Sequence, residues 1–165
     1  MLDLDFAEEG KIQLHVRKFL LYPKYWEDTN NHVSFDQSWR FIKFKASNLR
    51  KVPDSKGVYC FVVKPKIPNF FETRYLFYAG QTTNTLRDRY RNYIDEGLGK
   101  GKPRIKVYRM LNLYKNHIYF YYAVIDNDSH IKNSEDSLLN MFVPQVNVQI
   151  PNAKIKPELK YLYEG

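Results

Sequence analysis

Two short stretches of this chain set a glycine and a tyrosine two positions apart in strand-like runs: Gly57-Val58-Tyr59 and, in reverse order, Tyr78-Ala79-Gly80. Shortly after the second, "LRDRYRNY" carries Arg89 and Tyr93, which stand one above the other on adjacent turns of a helix. Arg89 falls on the side that carries Leu86 and Tyr93, an unusual place for an arginine, whereas Arg87 and Arg91 point outward. A guanidinium is always charged and forked, so it suits phosphate oxygens. A phenol has a reference pKa near 10, too high for an unaided base at neutral pH, yet as a neutral group it can orient a water molecule. Further on, Glu135 reads as lying in the first turn of a late helix, where the macrodipole favours its ionised form and readies it for a hard cation such as Mg²⁺ or Mn²⁺. Few other acids stand to help it, which points to one ion. Each residue also has a plainer reading: a core tyrosine among 14, a snorkelling arginine, a capping glutamate.

The charge of the chain leans the same way. Its net +8 is uneven: residues 1–53 carry 9 basic and 7 acidic groups, residues 54–131 carry 13 and 7, and residues 132–165 carry 4 and 4. Within the middle segment Arg87, Arg89, Arg91, Lys100, Lys102, Arg104 and Lys106 face only Asp88, Asp95 and Glu96. Such a cluster suits phosphate contacts with a polyanion, the alternative being a solvated charged face.

At 165 residues and 44% hydrophobic, the chain is about one domain long. No apolar run approaches the roughly 20 residues that cross a bilayer. The start, "MLDLDFAEEGK", is acidic and lacks a basic segment followed by an apolar one, so nothing suggests secretion. One cysteine, Cys60, excludes an internal disulfide and a Cys-rich zinc site, and reads as a small buried residue; a reducing cytoplasm fits. The four histidines show no metal-ligand spacing.

These residues need elements to hold them. β-Branched and aromatic residues alternate from Gly57 to Val63 and again from Tyr75 to Ala79, a hairpin with a long connection. Tyr59, Phe61 and Val63 share one face, and Leu76 and Tyr78 share one, by the period of two. Leu86, Tyr90, Tyr93 and Ile94 recur at helical spacing after Thr83 and Asn84 as caps, and Gly97 stops the helix. Ile105, Tyr108, Leu111 and Leu113 give a second helix its buried side. "HIYFYYAVI" is apolar on both faces, hence a central strand. Asp126 to Asn133 reads as a break, and a third helix starts near Asn133 or Ser134, followed by a short extended "VNVQI". The expected fold is α+β (α/β), a small, mainly antiparallel central sheet flanked by helices, ordered β-β-α-α-β-α from residue 57. Residues 1–53 form an N-terminal extension packed on or elaborating the core, with "KIQLHVRKFLLY" and "WRFIKFKAS" as strand candidates; residues 54–150 form the central domain and 151–165 a tail.

The residues together resemble the GIY-YIG nuclease family, with "GVY" and "YAG" as its two namesake elements. In that family the second glycine is followed by a turn and a helix bearing an arginine, with a His or Tyr four residues later, as Arg89 and Tyr93 are here. A late glutamate pattern, E-x-x-L-[IL]-x-x-x-x-P-x-x-N, fits residues 135–147 at Glu135, Leu138, Leu139, Pro144 and Asn147. "RIKVYRMLNLYKNHIYFYY" resembles the middle helix and strand of the homing-endonuclease branch. The resemblance spans residue 57 to about residue 150. Ala79 departs from the usual aliphatic residue, and Gln81 stands where excision-repair members carry a lysine, with Lys102 as a candidate substitute.

The resemblance implies a DNA endonuclease that hydrolyses phosphodiester bonds with Mg²⁺ or Mn²⁺ and no covalent intermediate. It assigns Glu135 to the metal, Arg89 to the scissile phosphate, and Tyr59 to base or water-positioning work in which a nearby metal and arginine make its anion more accessible. Tyr78 is its partner and Tyr93 a phosphate or water contact. Gly57 and Gly80 allow close approach of backbone and substrate, and Asn147 supports the sheet or the catalytic tyrosine. Restriction, phage defence or a mobile element is the expected setting, with double-stranded DNA as substrate and a possible homodimer. A repair nuclease on branched DNA, an inactive nucleic-acid-binding module and an aromatic protein-interaction domain are the alternatives.

Overall fold

The structure, a computed structural model, describes residues 12, 13 and 15–147. The acidic start, the tail from residue 151 and the last three residues of "VNVQI" lie outside it.

The sheet grows outward from one strand. Gly57–Val63 (β2) is buried along its whole length, as befits β-branched and aromatic residues with no polar face. It pairs antiparallel with Tyr75–Thr82 (β3) on one side and Ile118–Val124 (β4) on the other. Arg40–Lys43 (β1) pairs with the far side of β4, so the order is β1-β4-β2-β3, antiparallel throughout. The expected central place of the "HIYFYYAVI" strand is thus found. The region before residue 54 contributes β1 to the sheet.

The helices are Pro23–Glu27 (α1), Leu86–Gly97 (α2), Ile105–Leu113 (α3) and Asp128–Phe142 (α4), with 3₁₀ turns at Thr29–Asn31 and Ala46–Lys51. From residue 57 the order is β-β-α-α-β-α, and the α+β architecture is as expected. Alternation along β2 divides the core. Tyr59, Phe61 and Val63 pack with Leu86, Tyr90 and Tyr93 of α2 and Val107, Met110 and Leu111 of α3. Val58, Cys60 and Val62 face the other way, toward Ile131, Leu138 and Leu139 of α4. Tyr90 ties the first layer to the N-terminal region: its hydroxyl accepts from the Lys45 amide (2.9 Å) and donates to the Lys45 carbonyl (2.8 Å).

Several local expectations are overturned. The stretch from Asp126 to Asn133 is not a break: Asn127 caps α4, its Oδ1 accepting from the amides of Ser129 (2.9 Å) and His130 (3.1 Å), so the helix begins at Asp128. Thr85, not Thr83 or Asn84, caps α2, its hydroxyl accepting from the Asp88 amide at 3.0 Å. Ile105 is 59% exposed, because α3 turns Val107, Met110 and Leu111 inward. Leu76 and Tyr78 do not share a face. The β2–β3 register shifts between Phe61 and Val62, with Phe61 opposite Tyr78 and Val62 opposite Leu76. Phe77 is the extra residue of this bulge, so Leu76 turns to the α4 side while Tyr78 packs with Tyr59. In "KIQLHVRKFLLY", Ile12, Gln13 and His15 are helical and residues 16–22 form no strand. Phe19 instead plugs against the rings of Tyr75 and Phe77, both centroids 5.5 Å away.

Candidate active site

Tyr59 stands in the middle strand with Gly80 opposite it on β3 and Tyr122 on β4. A Cβ at Gly80 would lie 2.6 Å from the Tyr59 hydroxyl and 2.7 Å from Cζ, so this glycine exists for the phenol that lies against its backbone. Gly57 is required for a different reason: its Cβ would lie 2.1 Å from the carbonyl oxygen of Ala123, so only glycine lets β2 and β4 close here. The two glycine-tyrosine pairs therefore serve ring packing and strand approach.

Residues far apart in sequence meet around that ring. The hydroxyls of Tyr59 and Tyr93 share a hydrogen bond of 2.9 Å, and both residues are 2% exposed. Half-buried Tyr78 stacks beside Tyr59 and stands edge-on to Tyr93, with centroids 6.4 and 6.0 Å apart. Burial pushes both the Tyr59 and the Tyr93 phenol well above the ordinary value. For Tyr59 the neighbouring Tyr78 adds to this; the Tyr93 hydrogen bond and Arg89 pull the other way and lose. At Tyr59 burial thus outweighs the pull of Arg89, the arginine half of the metal-and-arginine pair expected to make its anion more accessible. In this site it is a neutral hydrogen-bonding group.

Arg104 is the residue that sequence reasoning misplaced. It is not simply a surface cation: its Nη1 donates to the Tyr78 hydroxyl (3.3 Å) and its guanidinium lies 5.5 Å from the Tyr93 ring centre. Glu96 holds it in place, accepting from Nε at 3.0 Å, from Nη2 at 2.9 Å and from the Arg104 amide at 2.8 Å. The only hint in sequence is an acid eight residues upstream, beyond any helical pairing rule. Lys102 is exposed in the loop between Gly99 and Arg104. Arg104 is the basic group that reaches the phenols.

Arg89 is exposed on α2 and makes no side-chain hydrogen bond or ion pair among the described residues. Its field nonetheless reaches both Tyr59 and Glu135. Glu135 does not sit in the first helical turn. It lies two turns into α4, beyond the reach of the helix N-terminus, four residues after buried Ile131 and four before buried Leu139. Burial, and then the neighbouring Asp136, raise its pKa from 4.5 to about 7, with Arg89 opposing. Its charge is felt at Tyr59 and at Cys60, whose thiol burial also pushes up.

Asn147 fastens the free edge of β3. Its Oδ1 accepts from the Ala79 amide (3.0 Å) and its Nδ2 donates to the Ala79 carbonyl (2.7 Å), while the Val146 amide bonds Phe77. Of its two expected supporting roles, Asn147 takes the one directed at the sheet.

Most of the expected DNA-binding cations are neutralised locally. Arg87 pairs with Asp54 (3.5 Å) and donates to the Val52 carbonyl, Arg91 pairs with Asp88, and Lys100 pairs with Asp95 at 3.1 Å. Lys102 and Lys106 are exposed and make no ion pair among the described residues.

Among the described residues no group of three or more His, Cys, Asp or Glu side chains is placed to hold a metal. Glu135 alone suits an ion that keeps several waters and takes the rest of its shell from substrate phosphate oxygens, as Mg²⁺ does. Searches against family models, curated proteins and solved structures return no match.

Proposed function

We propose that the chain is a divalent-metal-dependent DNA endonuclease of the GIY-YIG type. The observation that carries this reading is convergence: Tyr59, Tyr78, Tyr93 and Arg104 meet in one cluster, and Arg89 and Glu135 both act electrostatically on Tyr59. Strand β2, strand β3, helix α2, the start of helix α3 and helix α4 each supply a part.

In this reading Arg89 and Arg104 hold the non-bridging oxygens of the scissile phosphate, where charge builds in the transition state. The hydroxyls of Tyr59 and Tyr93 stay neutral and, with that of Tyr78, orient the attacking water by hydrogen bonds. Glu135 would hold the Mg²⁺ or Mn²⁺ ion, which when bound supplies charge neutralisation and an acidified water. Double-stranded or branched DNA is the substrate, and restriction, phage defence or a mobile element is the setting. The reading further places the enzyme in the cytoplasm, with a homodimer as one route to a double-strand cut. No helix of the described residues is long and apolar enough to cross a membrane.

A second reading, a nucleic-acid-binding module that does not cut, draws on the absence, among the described residues, of any group of three or more His, Cys, Asp or Glu side chains placed to hold a metal. Plasmid and branched DNA incubated with Mg²⁺ or Mn²⁺ separate the two. The wild type is expected to nick or cut, with Glu135→Gln slower by about 10²- to 10³-fold, the scale of losing one charge-stabilising group. Binding without cutting by the wild type selects the second reading, and equal cutting by both proteins removes Glu135 from the mechanism.

A further inference from the structure

A cleft of about 330 Å³ lies where the N-terminal region, α3 and the segment after α4 meet. It is lined by Arg17 and Lys18 of the N-terminal region, Lys106 and Arg109 of α3, and Gln145 and Val146 beyond α4. No carboxylate is among its described lining residues. Lys18, Lys106 and Arg109 make no ion pair among the described residues, in contrast to the arginines and lysine paired around α2. Arg17 is pre-positioned: its Nε donates to the Tyr114 hydroxyl at 3.0 Å, and its guanidinium packs over the rings of Phe77 and Tyr114 at 5.8 and 5.6 Å. A second observation points to an acceptor ligand. The Nε2 of Gln145 is buried and has no hydrogen-bond partner among the described residues. Unpaired cations and an orphaned donor around one polar cavity suit an anion with several oxygens.

Chain links carry the cleft to the candidate active site. Lys106 is two residues from Arg104, which holds Tyr78, and Val146 is next to Asn147, which clamps Ala79. We propose that the cleft is a second phosphate-binding site, seating a backbone phosphate of the DNA near the bond that is cut. The phosphate group follows from the lining residues; DNA as its carrier rests on the nuclease reading. The N-terminal region thereby acquires a role, supplying half of the cations.

The test is the salt dependence of binding of a fluorescently labelled duplex to the full chain. Each phosphate contact contributes about 0.9 to the slope of log K against log salt, so Lys18→Gln/Arg109→Gln, which removes the one phosphate seated in the cleft, is expected to lower the slope by about 0.9. Lys24→Gln/Lys66→Gln, with the same charge loss elsewhere, is expected to leave it close to that of the wild type. An unchanged slope in the first variant, or an equal fall in both, overturns the proposal. Inorganic phosphate, titrated while the Arg17 and Arg109 side-chain NMR signals are followed, tests the site apart from DNA. If the wild type neither binds nor cuts DNA, the nuclease reading fails. Saturable shifts at both arginines then keep a phosphate site with another carrier, and their absence overturns that as well.

Discussion

Tyr59 and Cys60 are neighbours on β2 and face opposite sides of the sheet, and the two sides treat acidic groups differently. On the Tyr59 side, α2 and α3 close over phenols that satisfy one another by hydrogen bonds, and burial moves them further from ionisation at neutral pH. On the Cys60 side, α4 carries a half-buried carboxyl, Glu135, and burial moves it toward neutral pH, to about 7. One physical cause, loss of water around the charged form, holds the phenols as neutral donors and moves the Glu135 carboxyl into the neutral range. The acid that titrates near pH 7 is therefore the carboxyl, although the paired tyrosines are what catch the eye in the sequence.

The largest effect expected from this contrast is on stability. Folded Glu135 holds its proton up to about pH 7, whereas the unfolded carboxyl loses it near 4.5. Its contribution is thus fully present below 4.5 and is lost as pH rises through 7, by at most about 3 kcal/mol at about 1.4 kcal/mol per pKa unit. Urea unfolding of the wild type between pH 4.5 and 8 should show this fall, and Glu135→Gln should flatten it. Because a cation binds only the ionised form, Mg²⁺ at pH 8 should raise the Tm of the wild type and not of the variant. A pH profile unaltered by the substitution would remove the contrast between the two faces.

How far the sequence carried this reading depends on the range of the interaction involved. The shared face of Tyr59, Phe61 and Val63 is legible because the period of two is local to the chain, and Leu86, Tyr90 and Tyr93 are legible by helical spacing. The interior place of β4 follows from apolar residues on both its faces. What was not legible depends on one atom or one distant partner. Asn127 begins α4 within a polar stretch that reads as a loop, which moves Glu135 from the helix start to its interior. Phe77 inserts a bulge that no alternation announces, and so separates Leu76 from Tyr78. Charge counting finds the cations but not their pairing, so Arg104 looks equivalent to Lys102 until Glu96 is seen to orient it.

A smaller effect is expected at the glycine that receives the Tyr59 ring. Gly80→Ala brings a methyl within 2.6 Å of the phenol oxygen and 2.7 Å of Cζ, forcing the buried ring to shift. Overpacking of this kind costs about 1–3 kcal/mol, measurable by urea unfolding. If the ring is the obstacle, Tyr59→Leu should relieve most of the cost, and a double-mutant cycle should show strong non-additivity. Additive effects would mean that the strand backbone, not the phenol, resists the methyl.

The smallest effect concerns the phenol hydrogen bond itself. Tyr59→Phe keeps the ring stacked on Phe120 and beside Tyr78 and deletes only the hydroxyl that meets Tyr93 at 2.9 Å. Tyr93 retains Tyr78 and Arg104 as polar neighbours, so its hydroxyl is not left bare and the loss should be about 1 kcal/mol. The same variant separates the two faces by pH. The folded chain holds both phenols above their ordinary value, so their contribution is present below pH 10 and is lost as pH rises beyond it. Tyr59→Phe should therefore soften the alkaline loss of stability while leaving the Glu135 fall near pH 7 untouched. If the substitution instead shifts the neutral-pH fall, the two faces are coupled more tightly through β2 than a field at Tyr59 implies, and the phenols and the carboxyl titrate as one unit.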